Sequence, residues 1–98
     1  MLQGKGKNTM NDSLNIKKKI KIFIKDNFLL SLKLNSFNDN DSFLQKGIID
    51  STGVLELVSY IEVTFKIKVE DEELLPDNLD SLNKITAFVI GKMTDADQ

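Results

Sequence analysis

The chain has 98 residues, 41% apolar and 29% charged, which suits one folded domain with one core and excludes a chain disordered throughout. It has neither Cys nor His, so disulfides, thiolate and imidazole metal sites are excluded, and any catalysis is left to carboxylates, Lys, Tyr or hydroxyls. The net charge of −2 is split unevenly: before Asp50 nine Lys meet four acids, and from Asp50 onward four Lys meet eleven. An acidic second half disfavours nucleic acid there and favours basic protein partners. No apolar run approaches the ~20 residues of a membrane span, and the first residues lack a secretory core. The chain reads as a cytoplasmic monomer that is neither an enzyme nor membrane-inserted.

In chain order, residues 1–11 read as a flexible leader, with two Gly and few apolar side chains. Ser13 can cap a first helix from Leu14 to Leu30, whose Ile16, Ile20, Phe23, Ile24 and Phe28 form one stripe, widened by Ile22, Leu29 and Leu30. Its Lys17, Lys18, Lys19, Lys21 and Lys25 read as a solvated face. Residues 31–50 form a long connection anchored by Phe37, Phe43, Leu44, Ile48 and Ile49. A calcium loop over Asp39 to Asp50 is refused, because Phe43 and Leu44 stand where an oxygen ligand and Gly are required.

A second helix runs from Ser51 to about Phe65, with Val54, Leu57, Val58, Ile61 and Phe65 inward and Glu56, Ser59 and Glu62 elsewhere. Lys66 to Val69 is too short and unpartnered for a sheet and reads as an extended connector. Glu70 to Leu75 predicts a short helical turn ended by Pro76. Asp80 or Ser81 then caps a last helix carrying Leu82, Ile85, Val89 and Met93. The fold class is all-α: a four-helix bundle of three longer helices and one short third helix.

Gly47-Ile48-Ile49-Asp50-Ser51-Thr52-Gly53-Val54-Leu55-Glu56-Leu57-Val58 resembles the attachment site of acyl and peptidyl carrier proteins, the phosphopantetheine-binding carrier domains. The resemblance continues through Phe65 to Leu74 and through Pro76 to Leu82, in the family's order. Asp-Ser alone is unspecific, since it also occurs at Asp12-Ser13, Asp41-Ser42 and Asp80-Ser81. Ser13 and Ser81 are explained as caps and Ser42 lies in a polar loop. Only Ser51 has the apolar pair Ile48-Ile49 before it and a helix bearing Glu56 after it.

The resemblance implies an acyl-carrier-like bundle over residues 12–94, with a flexible tail over 95–98. It implies a 4'-phosphopantetheine arm on Ser51, transferred from coenzyme A by a phosphopantetheinyl transferase, with acyl or aminoacyl groups held on it as thioesters. Asp50 then helps dock the transferase or caps the helix. Glu56 and Glu62, with Glu70, Asp71, Glu72 and Glu73 extending the acidic face, meet basic patches on a loading ligase or acyltransferase and on other acyl-processing enzymes. A cargo chain could shelter among Val54, Leu57, Ile61 and Ile85. Thr52, Val63, Lys66 and Lys68 depart from the family pattern and point to a specialised carrier. The competing reading is a non-catalytic helical interaction module, or a small nucleic-acid binder using the basic first helix, and it leaves the Ser51 context unexplained.

Overall fold

A computed structural model of the protein describes residues 9–29 and 37–96. It contains α1 (Thr9–Ile24), continued by a π-helical turn (Lys25–Leu29), then α2 (Ser51–Phe65), a 3-10 turn (Asp71–Glu73), α3 (Pro76–Leu79) and α4 (Leu82–Ala96). This is the expected all-α bundle of three longer helices and one short one, with no strand among the described residues.

In α1 the spacing of Ile16, Ile20 and Ile24 buries all three, and the helix lies along α4. It begins earlier than expected. Thr9 to Asn11, assigned to the leader, are helical, and Ser13 sits within the helix instead of capping it. Asn, Asp and Ser cost only a few tenths of a kcal/mol each inside a helix, and no Gly or Pro between Thr9 and Ser13 breaks it. Ile22 does not widen the buried surface, since it is exposed. The wider π turn at the end brings Leu29 into the core. Residues 1–8 of the leader, Leu30, the start of the long connection and residues 97–98 lie outside the described residues.

The connection from Phe37 to Asp50 is strapped down at both flanks. Phe37 and Phe43 meet edge to face at 5.9 Å and are buried with Ile48 and Ile49. Leu44 is exposed, contrary to its expected role as an anchor. The tight turn here, with Gly47 N–H bonded to the Leu44 carbonyl and Ile48 N–H to that of Phe43, turns neighbouring side chains to opposite sides. Asp80 holds the turn against the head of α4: its carboxylate accepts the Ser42 hydroxyl and the Leu44 N–H, and its carbonyl accepts the Phe43 N–H. On the other flank the Lys17 ammonium pairs with Asp39 at 2.8 Å, and that of Lys21 lies 6.0 Å from the Phe37 ring centre. Two of the five clustered lysines therefore serve the fold.

Helix α2 ends at Lys66, which adopts a left-handed conformation (φ 57°) so that its N–H reaches the Glu62 carbonyl. An L side chain is strained there and Gly is not. Lys66→Gly is therefore expected to stabilise the fold by about 1 kcal/mol, read as a higher urea midpoint at unchanged slope. A midpoint at or below that of the wild type would contradict it.

The connector then buries Ile67 and Val69. The expected short turn forms at Asp71–Glu73, and Leu75, the residue before Pro76, is extended as proline requires; what was not expected is that Pro76 then opens α3 as its first residue, where a missing N–H costs nothing. Asp80, considered as a cap, is committed to the loop. Ser81 caps α4, its hydroxyl accepting the Lys84 N–H at 3.1 Å. Leu82, Ile85 and Val89 close the core with Leu57 and Ile61, none of them measurably exposed.

Candidate functional site

Three local features set the start of α2. Gly47 takes a positive φ of 70°, which closes the preceding turn. Ile48 and Ile49 are buried, so the chain cannot slide past them. Asp50 is extended, and its carboxylate accepts the Gly53 N–H at 2.7 Å, while its carbonyl takes that of Val54. Ser51 follows as the first residue of α2 and is exposed.

Gly53 packs so closely that a Cβ built on it would lie 2.8 Å from Phe28 Cε1 and 2.9 Å from Ile49 Cγ2. The end of α1 thus abuts the first turn of α2. In the sequence Gly53 stands within the motif with no evident role of its own. Its one signal was a glycine in the first turn of an otherwise apolar helix, where the residue is costly unless something approaches it. Beside Ser51 lies a hollow of about 300 Å³, lined by Phe28, Gly47, Ile48, Asp50, Thr52, Gly53 and Glu56.

The four Asp-Ser pairs separate clearly. Ser13 is half-buried inside α1. The Ser42 hydroxyl donates to Asp80 and accepts the Gln45 N–H. Ser81 is buried and caps α4. Ser51 alone is exposed, with its hydroxyl engaged by no other described residue.

That hydroxyl is poorly equipped to act as a nucleophile unaided. The chain has no His, and the adjacent Asp50 carboxylate is turned to the Gly53 N–H. It is well placed to be acted upon. The first-turn N–H groups of Ser51 and Thr52 have no partner within the helix, and they put partial positive charge beside an attached anion. No group of three or more acidic metal ligands occurs among the described residues.

The expected partner carboxylates do not form one set. Glu56 is exposed beside the hollow at Ser51. Glu62 is half-buried and its carboxylate accepts the Val69 N–H at 2.8 Å, which folds the connector back onto α2. It is eleven residues past Ser51, about 16 Å along the helix axis. Glu70 and Asp71 are exposed just beyond Val69 and so lie at this far end.

Glu73, expected to extend the acidic face, instead joins the 3-10 turn to α4 through its pair with Lys92 at 2.9 Å. Its carboxyl is held below the usual glutamate range, first by the Glu70 N–H that it accepts and then by the hydrogen bond and charge of Lys92, against an opposing effect of burial. A lowered carboxyl stabilises the fold fully above its unfolded pKa, and this contribution disappears as pH falls through the folded value. The gap in thermal midpoint between wild type and Glu73→Gln is therefore expected to be widest near neutrality and to close below about pH 4. A gap independent of pH would contradict it.

No protein-family model matches the chain. It is 32% identical over 78 residues to the acyl carrier protein of Buchnera aphidicola subsp. Schizaphis graminum, an alignment that covers 80% of this chain and 94% of that relative.

Proposed function

The chain belongs to the acyl carrier protein family, and from that premise we propose that Ser51 bears the 4'-phosphopantetheine arm on which its acyl or aminoacyl groups travel. The carrier role in general comes with the family, and it is a non-catalytic one. The observation that carries the assignment is the contrast among the Asp-Ser pairs, since Ser51 is the exposed and unengaged serine of the four.

The residues fit the group. The capped start of α2 holds Ser51 outward and leaves two N–H groups for its phosphodiester, and Gly53 keeps side-chain bulk away from that turn. The arm supplies the terminal thiol that this Cys-free chain lacks, and cargo rides on it as a thioester. Ser51 Oγ gives up its proton on a phosphopantetheinyl transferase and bonds to the pantetheine-side phosphorus of coenzyme A, releasing the nucleotide half. The transferase supplies the magnesium and the base.

Further partners are a loading ligase or acyltransferase and the enzymes that process the cargo, in lipid or specialised-metabolite biosynthesis. Glu56, Glu70 and Asp71 are the exposed carboxylates available to basic surfaces on them, with Asp50 at the transferase contact. Among the described residues no helix is long and apolar enough to cross a membrane. A cytoplasmic monomer remains our reading.

Intact mass after incubation with coenzyme A, magnesium and a promiscuous transferase tests the assignment. One phosphopantetheine is expected on the wild type and none on Ser51→Ala. Addition to Ser51→Ala, or no addition to the wild type with several transferases, would overturn it.

A further inference from the structure

Over residues 13–29 five lysines meet one acid, Asp26, and the fold uses two of them, Lys17 and Lys21. Lys18, Lys19 and Lys25 are exposed, and their ammonium groups have no partner among the described residues. Leu14, Lys18 and Ile22 recur at four-residue steps and so stand in line along α1. Lys18 is two residues from both Ile16 and Ile20, which sets this line across the helix from the buried stripe. The outward side of α1 therefore interleaves lysines with two large apolar side chains, Leu14 at 59% and Ile22 at 49% exposure.

The flank of this face toward α2 is fixed by packing. Phe23 stacks on Tyr60 at 4.2 Å and 14°, and the Tyr60 hydroxyl donates to the Lys19 carbonyl. Val63, one turn beyond Tyr60, lines the same hollow as Phe23 and is 79% exposed. Single uncovered apolar residues are ordinary on a protein surface. Here they recur in line with, or at the margin of, three ammonium groups that the fold leaves free.

The kind of basic residue narrows the partner. All the cationic side chains of the chain are lysines, and it has no Arg. Protein interfaces and base-reading surfaces favour Arg, whose flat guanidinium binds carboxylate, phosphate or guanine through two hydrogen bonds at once, and protein interfaces are depleted of Lys. A lysine on its long stem follows headgroups that move, while the stem and its apolar neighbours enter the margin of the hydrocarbon. Duplex nucleic acid would leave Leu14 and Ile22 in water.

We propose that the outward face of α1 holds the protein reversibly against an anionic lipid surface, with α1 lying in the headgroup plane and Leu14 and Ile22 dipping beneath it. The contact lies on the membrane and does not span it. Three lysines and two apolar side chains are too few for a permanent anchor, so the protein exchanges between surface and solution. The proposal is independent of the attachment at Ser51.

Full-length protein is sedimented with sucrose-filled vesicles of phosphatidylcholine alone, or of phosphatidylcholine and phosphatidylglycerol at about two to one. Binding to the mixed vesicles is expected in low salt, with little to the neutral ones, and is expected to disappear at about 0.5 M NaCl. Lys18→Gln and Lys25→Gln should each lower the partition coefficient about fivefold. Ile22→Ser should lower it about fivefold with the salt dependence unchanged. Lys84→Gln makes the same charge change at an exposed position of α4 and should leave it within about twofold. Circular dichroism establishes that each variant is folded. No binding to the mixed vesicles, equal binding to the neutral ones, or equal losses from Lys18→Gln and Lys84→Gln would overturn the proposal. Tighter binding to poly-glutamate or to a DNA duplex than to the mixed vesicles at the same salt would also overturn it, and would reassign the face to an acidic protein or to nucleic acid.

Discussion

Phe43→Ala is expected to cost about 4 kcal/mol of folding stability, within the ~3–5 kcal/mol that removal of a buried Phe ring usually costs. Phe43 is 1% exposed, packs edge to face on Phe37, and lies in the turn that Asp80 holds from both sides. Its removal leaves a cavity at the joint where the connection meets α4. A domain of this size has about 5–15 kcal/mol in all, so much of the margin goes. Urea unfolding followed by circular dichroism measures it, with Phe43→Leu as a milder partner expected to lose about 1–2 kcal/mol. A loss below about 1 kcal/mol for the alanine variant would mean that the turn is not bound to the core in this way.

Gly53 sets the second large effect. Alanine in a helix normally gains up to about 1 kcal/mol over glycine, but here the added carbon meets Phe28 and Ile49 at under 3 Å. Overpacking of that kind costs ~1–3 kcal/mol, and Ile49 is too deeply buried to give way. The clash should win. Gly53→Ala is expected to lose about 1 kcal/mol, and Gly53→Val, with two more methyl groups and a stiff χ1, about 3 kcal/mol. Both are read by the same unfolding curves. An alanine variant more stable than the wild type would show that Phe28 moves aside freely.

What could be read from the sequence was what local rules decide. Helix α2, its limits at Ser51 and Phe65 and the capping carboxylate of Asp50 follow from a turn residue, an acidic cap and an apolar period that all agree. Ser81 as the cap of α4 has the same origin. The differences arose where one residue could serve two ends. Ser13 and Pro76 are both boundary signals, yet a serine is tolerated inside a helix and a proline opens one as readily as it ends one.

Long-range contacts were beyond local reading. Glu62 looked like a surface charge because its partner, the Val69 N–H, belongs to a connector whose path is set by the burial of Ile67 and Val69. Leu44 and Ile22 are apolar in sequence and exposed in the fold, since neighbours in a turn or on a helix face different ways. The constraint on Gly53 depends on where α1 stops, which is the hardest feature to place.

The stacked pair of Phe23 and Tyr60 also gives the protein a built-in optical reporter. Tyr60 is its single tyrosine and there is no tryptophan, so the near-ultraviolet spectrum above the phenylalanine bands comes from this one ring. Its hydroxyl donates to the Lys19 carbonyl at 3.2 Å while its face lies on Phe23, so both of its attachments to α1 report the same contact. Light absorbed there follows the docking of α1 on α2 without any label, and stopped-flow traces of that signal separate the moment when these two helices meet from the formation of helix itself.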